Sequence, residues 1–276
     1  MRCPFCGADY QAPPGRRFYV CPYCGTVVTE GKTYQSVYIF KPRTDKTAAF
    51  RAALNLKPMG SPDDLPQATP TAAELHFFPL YLYHISFQPL PELEADAAAL
   101  AMSKPPVELP SGYRFPTRWK TPFKPSLEKI GVFHQPDLDY KSAFQALKEV
   151  AEEAQAYAYV FRTKVSVSWR FEGIAYFPVW ALEYEYGGKR YAAAVDATDG
   201  TVIQMEYPLT KRGRAQAAAF AATTVSGSAA LGTAAGLLWD AWLGMLGGLM
   251  ASTGAAWRLI KFAAARRGRY KAEEKL

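Results

Sequence analysis

The sequence predicts an α+β fold built from several segments, and three observations lead to this expectation. Two pairs of cysteines lie near the N-terminus, one motif occurs twice in the middle of the chain, and a long, almost uncharged tract lies near the C-terminus. With 276 residues, seventeen Tyr and sixteen Phe, the chain has the length for about one to three domains and the aromatic side chains for a sizeable core. The expected segments are a metal-binding module (1–32), a first α+β repeat (33–102), a Pro-rich linker (103–137), a second α+β repeat (138–210) and a helical hairpin with a basic tail (211–276).

All four cysteines of the chain lie in two Cys-Pro-x-Cys-Gly motifs. Two such pairs at this separation are typical of a tetrahedral zinc site in which four thiolates bind one ion. The alternative is two disulfides or free thiols, but a disulfide framework gives no reason for the same motif to occur twice. Because four ligands close the coordination shell, the zinc ion is expected to be structural. The predicted ligands of this single Zn²⁺ are Cys3, Cys6, Cys21 and Cys24.

The two motifs resemble the knuckles of a zinc ribbon of the transcription factor IIB type. The resemblance covers about thirty residues, with short strands expected on either side of the second knuckle, at 16–20 and 26–29. Ribbons of this kind include nucleic-acid binders, polymerase-docking modules and adaptors, so the resemblance does not select one function. No thiol remains for a disulfide and no signal peptide precedes Cys3, so a reducing cytoplasm is expected around the ribbon. The single Asn, Asn55, favours a thermophilic source, because thermophiles use few thermolabile amides.

The motif that occurs twice begins with an Asp suited to cap a helix. Asp45 and Asp139 are each followed five residues later by a Phe, and a Phe-Pro pair follows further on, at 78–79 and at 177–178. Asp is favoured at this position because its carboxylate accepts hydrogen bonds from the first, unpaired N–H groups of a helix. The motif therefore predicts that an internal duplication gives two helices, each followed by strands.

Strand signals are clearest in the second copy. Apolar and polar residues alternate at 165–171 and at 180–186, and Gly187-Gly188 is typical of a two-residue hairpin turn. The unit is thus a helix followed by an antiparallel meander. Its strand part resembles PepSY-like domains, with Val195-Asp196 and Gly200 matching their V-D-x-x-x-G turn. The whole order resembles a poorly characterised prokaryotic group, for which an archaeal source is expected; this resemblance implies an architecture and brings no catalytic residue.

The C-terminal tract is long and nearly free of charge. In residues 215–260 only Asp240 and Arg258 are charged. Each half of the tract has the roughly 20 residues that cross a bilayer, and basic residues flank both ends, which is typical of the cytoplasmic side. The sequence therefore predicts a transmembrane helical hairpin that contacts the membrane through 215–260, with both termini cytoplasmic. A buried pair of soluble helices and one interfacial helix with a basic tail are the alternatives.

The Pro-rich linker interleaves aromatic and basic residues at 113–124. Such interleaving can bind single-stranded nucleic acid by base stacking and phosphate contacts. In the alternative, the aromatics pack on a sheet and the cations stay in water. No pattern typical of an active site accompanies His76, His84 or His134, which are expected to be structural histidines.

These observations predict a protein that is not an enzyme. The main hypothesis is a membrane-anchored adaptor or scaffold on the cytoplasmic face, which binds a protein partner through its zinc ribbon. The alternative hypothesis is a nucleic-acid-associated, transcription-type ribbon factor, which the net charge of +7 favours although the ribbon itself is not strongly basic. An enzyme with a pocket between the repeats is a third hypothesis, for which no residue argues. The candidate partner contacts on the ribbon are Phe5, Arg16, Arg17 and Tyr23.

Overall fold

The computed structural model of this chain is dominated by β-structure, which forms a nine-stranded sheet and a separate three-stranded sheet. The residues that the structure describes are 2–3, 6–9, 18–21, 23, 27–29, 32–34, 36–110, 113–145, 147–236, 242–243, 245–246, 250, 261, 265 and 267–272.

The small sheet lies in the N-terminal segment and is antiparallel. It consists of β1 (Phe18–Val20), β2 (Val27–Thr29) and β3 (Lys32–Tyr34), with β2 in the middle. The first two strands lie within the two ranges that the ribbon resemblance predicts. The third strand was not predicted, and it continues the meander towards the large sheet.

The large sheet draws strands from most of the remaining chain. Its members are β4 (Val37–Phe40), β5 (Thr69–Gln88), β6 (Leu90–Leu100), β7 (Lys120–Pro122), β8 (Val132–Phe133), β9 (Ser166–Tyr186), β10 (Lys189–Asp196), β11 (Val202–Pro208) and β12 (Arg267–Lys271). The α-helices of the described residues are α1 (Lys46–Asn55), α2 (Tyr140–Gln145), α3 (Lys148–Phe161) and α4 (Lys211–Gly236), and two short 3₁₀ helices cover Leu65–Gln67 and Pro125–Ile130.

Two long strands form the centre of the large sheet. β5 and β9 pair antiparallel from Thr69 opposite Glu185 to Gln88 opposite Ser166. β6 extends the sheet beside β5, while β10, β11 and β12 extend it beside β9. The two strands expected at 165–171 and 180–186 are thus parts of the single strand β9. A register shift near Gly173 joins them, because the extra residue of a bulge bends a strand without ending it.

The two faces of the large sheet are covered differently. One face packs against the helices, with α1 at one end and α2 and α3 at the other. The apolar side chains of α1 that face the sheet are Ala49, Phe50, Ala53 and Leu54. The opposite face is covered by the chain that follows β6, through side chains that include Leu109, Tyr113 and Phe115. The core therefore lies on both sides of β5 and β9.

The two copies of the repeated motif exchange their first strands. β4 of the first copy pairs in parallel with β9 of the second. β8 lies at the end of the predicted linker and is counted from here on with the second copy; it pairs in parallel with β5 of the first. Ile39 lies opposite Tyr176, and Phe133 lies opposite Phe77. At the centre of the arrangement Phe78 lies opposite Phe177, the same position of the motif in each copy. The two copies are therefore related by an approximate twofold axis through the sheet.

Hydrogen bonds between the copies repeat about this axis. The N–H groups of Arg43 and Thr44 donate to the carbonyl of Ala197, and those of Asp137 and Leu138 donate to the carbonyl of Ala101. Each of the two long strands adds one equivalent side-chain hydrogen bond. Trp180 Nε1 donates to the carbonyl of Thr44 at 2.8 Å, and Tyr81 Oη donates to the carbonyl of Leu138 at 2.8 Å. Each copy thus fixes the loop that enters the helix of the other.

The predicted α+β fold class is wrong in its proportions and in its C-terminal part. The structure is mostly antiparallel sheet with few helices, because the meanders of the two copies join edge to edge through β5 and β9. The helix caps are as predicted: Asp45 accepts from the N–H of Ala48 at 2.7 Å, and Asp139 accepts from the N–H groups of Lys141 and Ser142.

The predicted transmembrane hairpin within 211–276 is also wrong, and with it the predicted membrane location. Of the helices within the described residues, none combines the length and the apolar character that crossing a membrane requires. α4 is long enough, but much of it is Ala, Gly, Ser and Thr, so absence of charge does not make it strongly apolar. Asp240, where the hairpin was expected to turn, and most of the second span lie outside the described residues.

The described part of the basic tail includes a strand at the sheet edge. β12 pairs antiparallel with β11 at the edge of the large sheet. Its cations contact carboxylates: Arg267 and Arg269 approach Glu206 at 3.4 and 3.0 Å, and Lys271 approaches Glu108 at 3.6 Å. These carboxylates partly neutralise the positive charge that the sequence analysis expected beside the membrane hairpin.

Candidate metal centre

The first cysteine motif folds into a tight backbone loop. The N–H of Gly7 donates to the carbonyl of Cys3 at 2.9 Å, and the N–H of Cys3 donates to the carbonyl of Ala8 at 2.8 Å. Gly7 has φ +74°, a conformation that glycine adopts without the steric cost of a side chain. Arg2 Nε also donates to the carbonyl of Gly7 at 3.0 Å. The sequence pattern therefore curls Cys3 and Cys6 towards the same point, as predicted.

Three cysteine sulfurs meet at this point. The Sγ atoms of Cys3, Cys6 and Cys21 all lie within 4.8 Å of one another, and those of Cys6 and Cys21 are 3.8 Å apart. A disulfide would need a separation of about 2.05 Å. Two thiolates bound tetrahedrally to one zinc ion at about 2.3 Å lie about 3.8 Å apart. The three cysteines could therefore hold a metal ion. Cys24, the fourth predicted ligand, lies outside the described residues.

The three cysteines differ in burial. Cys3 and Cys21 are each 1% exposed, whereas Cys6 is exposed. Tyr23, within the second motif, is 69% exposed. Of the other candidate partner contacts, Phe5, Arg16 and Arg17 lie outside the described residues. Two buried cysteines in a group of three suit a structural ion.

Two histidines form a contact that the sequence analysis missed. His76 Nδ1 and His134 Nε2 are 2.9 Å apart, and Glu74 Oε2 lies 3.3 Å from His76 Nε2. His76 is 8% exposed, and this burial lowers its pKa. The two histidines are far apart in sequence and meet because β8 pairs with β5, a long-range contact that no local pattern signals.

His84 lies in a different environment on the same strand. Its Nδ1 is 3.1 Å from Asp96 Oδ1, and its Nε2 is 3.4 Å from Glu94 Oε2. The hydrogen bond with Asp96 raises the pKa of His84. The structural role that the sequence analysis expected for the histidines stays a prediction.

The aromatic and basic residues of the linker separate into two sets. Tyr113, Phe115 and Phe123 pack on the large sheet, with the ring of Phe115 5.4 Å from that of Phe177. Trp119 instead is 85% exposed and has φ +67°. Packing on the sheet thus describes most rings of this segment, while Trp119 stays in solvent beside basic residues. Binding of nucleic acid by this segment stays a prediction.

No family model, curated protein or solved structure matches this chain. The resemblances to transcription factor IIB-type ribbons and to PepSY-like domains therefore stay predictions, and no match supports the archaeal, thermophilic grouping that the sequence analysis expected.

Proposed function

We propose that residues 1–32 form a zinc ribbon that binds one structural Zn²⁺ through Cys3, Cys6, Cys21 and Cys24. The cluster of three sulfurs carries this proposal, because its spacing suits a tetrahedral thiolate site. Cys24 shares a Cys-x-x-Cys motif with Cys21, which makes it the fourth ligand by sequence. Four thiolates leave no open position on the ion, so it stabilises the ribbon and activates no water.

The ribbon in this proposal is the recognition module of a non-enzymatic adaptor that binds a protein partner. Tyr23 supports this role. Its side chain is 69% exposed, whereas Cys21, two residues before it, is buried. Exposed aromatic side chains on rigid loops often supply much of the binding energy at protein interfaces. This role requires no membrane anchor.

Metal analysis of the purified full chain tests the first part. One zinc per chain is expected, and Cys21→Ser should lower this content while the unfolding transition of the large sheet is unchanged. The matched control is Tyr23→Ser, in the same loop, which should keep the metal. A wild-type chain without bound zinc, or a Cys21→Ser variant that retains it fully, would overturn the zinc assignment.

Site-specific photo-crosslinking tests the second part. A photoreactive amino acid replaces Tyr23 in the full chain in cells, and crosslinked proteins are identified by mass spectrometry. The control carries the same group at Tyr159, which is 87% exposed on α3. A defined crosslinked protein at Tyr23 that disappears with Cys21→Ser supports the adaptor. Identical crosslinks at both positions, or none at Tyr23, would count against it.

A further inference from the structure

We propose that a pocket on the large sheet binds a nucleotide, with its phosphate among four cations and its base stacked on Trp119. The pocket, called the basic pocket here, has a volume of about 450 Å³. This size lies within the range of about 300–1,000 Å³ that is typical of small-molecule sites. The residues that would contact the ligand are Lys41, Arg43, Arg118, Trp119 and Lys120. The inference is independent of the zinc ribbon.

Three separate segments of the chain meet at the basic pocket. Lys41 and Arg43 belong to the loop between β4 and α1, while Arg118 and Lys120 come from the start of β7 and the residues before it. The turn between β10 and β11 contributes Thr198. The sequence places these segments far apart, so their convergence depends on the exchange of β4 between the two copies.

Hydrogen bonds hold the cationic segments in place. The N–H of Arg43 donates to the carbonyl of Ala197 at 2.8 Å, which ties the loop after β4 to the turn between β10 and β11. Lys120 lies opposite Phe40 in the β4–β7 pair, and its Nζ donates to the carbonyl of Thr117 at 2.9 Å. The site is therefore preorganised, which reduces the entropy lost when a ligand binds.

The charge of the basic pocket is strongly unbalanced. Within the described part of the chain, none of its four cations forms an ion pair with a carboxylate. Asp199 is the single acidic residue that lines the pocket, and its carboxylate accepts from the N–H of Thr201 at 2.8 Å. Clustered cations of this kind attract phosphate, and Arg can bind it through two parallel hydrogen bonds. In contrast, the cations of β12 already have carboxylate partners.

Trp119 supplies the aromatic half of the recognition. It has φ +67°, which is rare for a bulky residue, and its ring is 85% exposed at the pocket. Such backbone conformations cost energy and concentrate at functional sites. An exposed indole next to phosphate-binding cations is the arrangement on which nucleic-acid bases stack. The shared ligand chemistry is a phosphate joined to a planar base, which either a free nucleotide or a single-stranded nucleic acid provides.

Binding measurements on the full chain test this proposal. Fluorescence anisotropy follows a labelled single-stranded oligonucleotide and, separately, a labelled adenine nucleotide, with inorganic phosphate as competitor. Combining Arg43→Gln with Arg118→Gln should weaken binding about tenfold or more at low salt, and should lower the slope of log K against log salt by about 1.4 for the oligonucleotide. Trp119→Gly should also weaken binding, and because glycine accepts positive φ it should fold normally.

The control variant is Arg190→Gln, which removes an exposed arginine at the far end of β10 and should leave binding unchanged. Binding of the oligonucleotide alone identifies a nucleic-acid strand as the source, and binding of both probes with similar affinity identifies a free nucleotide. The proposal is overturned if neither probe binds, or if the Arg43 and Arg118 substitutions have no effect. It is also overturned if Trp119→Gly leaves affinity unchanged, because the site would then bind phosphate without a base.

Discussion

The two copies of the repeated motif share their backbone contacts but differ in the charge of the loop that enters each helix. In the first copy, residues 40–43 read Phe-Lys-Pro-Arg, and in the second, residues 134–137 read His-Gln-Pro-Asp. Both loops donate N–H groups to an alanine carbonyl of the other copy. Yet Arg43 lines the basic pocket, whereas the carboxylate of Asp137 accepts from the N–H and hydroxyl of Ser103, both at 2.7 Å. The backbone bonds fix the scaffold, so the side chains are free to give its two ends different chemistry.

The largest effect on stability is expected at a close contact between the two copies. Gly173 has φ +142°, and a Cβ there would lie 2.3 Å from the carbonyl oxygen of Ser36, just before β4. Gly173→Ala should therefore lower the free energy of unfolding by about 3 kcal/mol, measured by urea denaturation. The control is Gly188→Ala, which also has positive φ but meets no atom within 4 Å, and should cost about 1 kcal/mol. Equal losses of stability for the two variants would show that the contact between Gly173 and Ser36 tolerates a side chain.

A smaller effect is expected from the side-chain bonds that link the copies. Tyr81→Phe removes only the hydroxyl that donates to the carbonyl of Leu138, and should cost about 1 kcal/mol. Trp180→Phe removes the equivalent bond to Thr44 together with part of the ring, and should cost more. Tyr159→Phe, on an 87% exposed side chain, should have almost no effect. A negligible loss of stability for Tyr81→Phe in thermal unfolding would show that this hydrogen bond does not help to hold the two copies together.

The smallest effect is expected from pH, through the two histidines of β5. Because burial lowers the pKa of His76, the unfolded chain takes up this proton at a higher pH than the folded protein does. The free energy of unfolding should therefore fall as pH decreases below about 6.5, and His76→Gln should reduce that fall.

His84 should show the opposite sign. Its hydrogen bond with Asp96 raises its pKa, so its contribution is fully present below about 6.5 and is lost as pH rises through the raised value. Relative to the wild type, His76→Gln should therefore lose less stability as the pH falls, and His84→Gln should lack the stabilisation that the wild type gains at low pH. Curves that shift together would contradict these environments.

Local features of the fold could be predicted from the sequence. The helix caps at Asp45 and Asp139, the turn at Gly187-Gly188 and the curl at Gly7 each depend on residues within a few positions of one another. For the same reason the clustering of Cys3 and Cys6 was predictable. Their approach to Cys21 was predictable too, because two Cys-x-x-Cys pairs at this separation are typical of one metal site.

Long-range features could not be predicted in this way. Nothing in the alternation of β9 reveals that it continues across Gly173 or that β4 pairs with it. The β5–β9 contacts join residues 78 to 116 positions apart, and the β4–β9 contacts join residues 137 positions apart. The basic pocket and the contact between His76 and His134 depend on long-range strand pairings, so the sequence could not predict them either. The C-terminal error has another cause: lack of charge is not the same as apolarity, because Ala, Gly, Ser and Thr gain little from a bilayer.

The reciprocal exchange of β4 and β8 has a consequence for ancestry. Each copy supplies a strand that the other copy needs and lacks the strand that completes its own edge. A shorter polypeptide with only one copy would therefore be complete only as a symmetric homodimer, in which the subunits trade these strands. Fusion of two such genes would keep the dimer's geometry in one chain, and would release each half to evolve its own ligand without losing its partner.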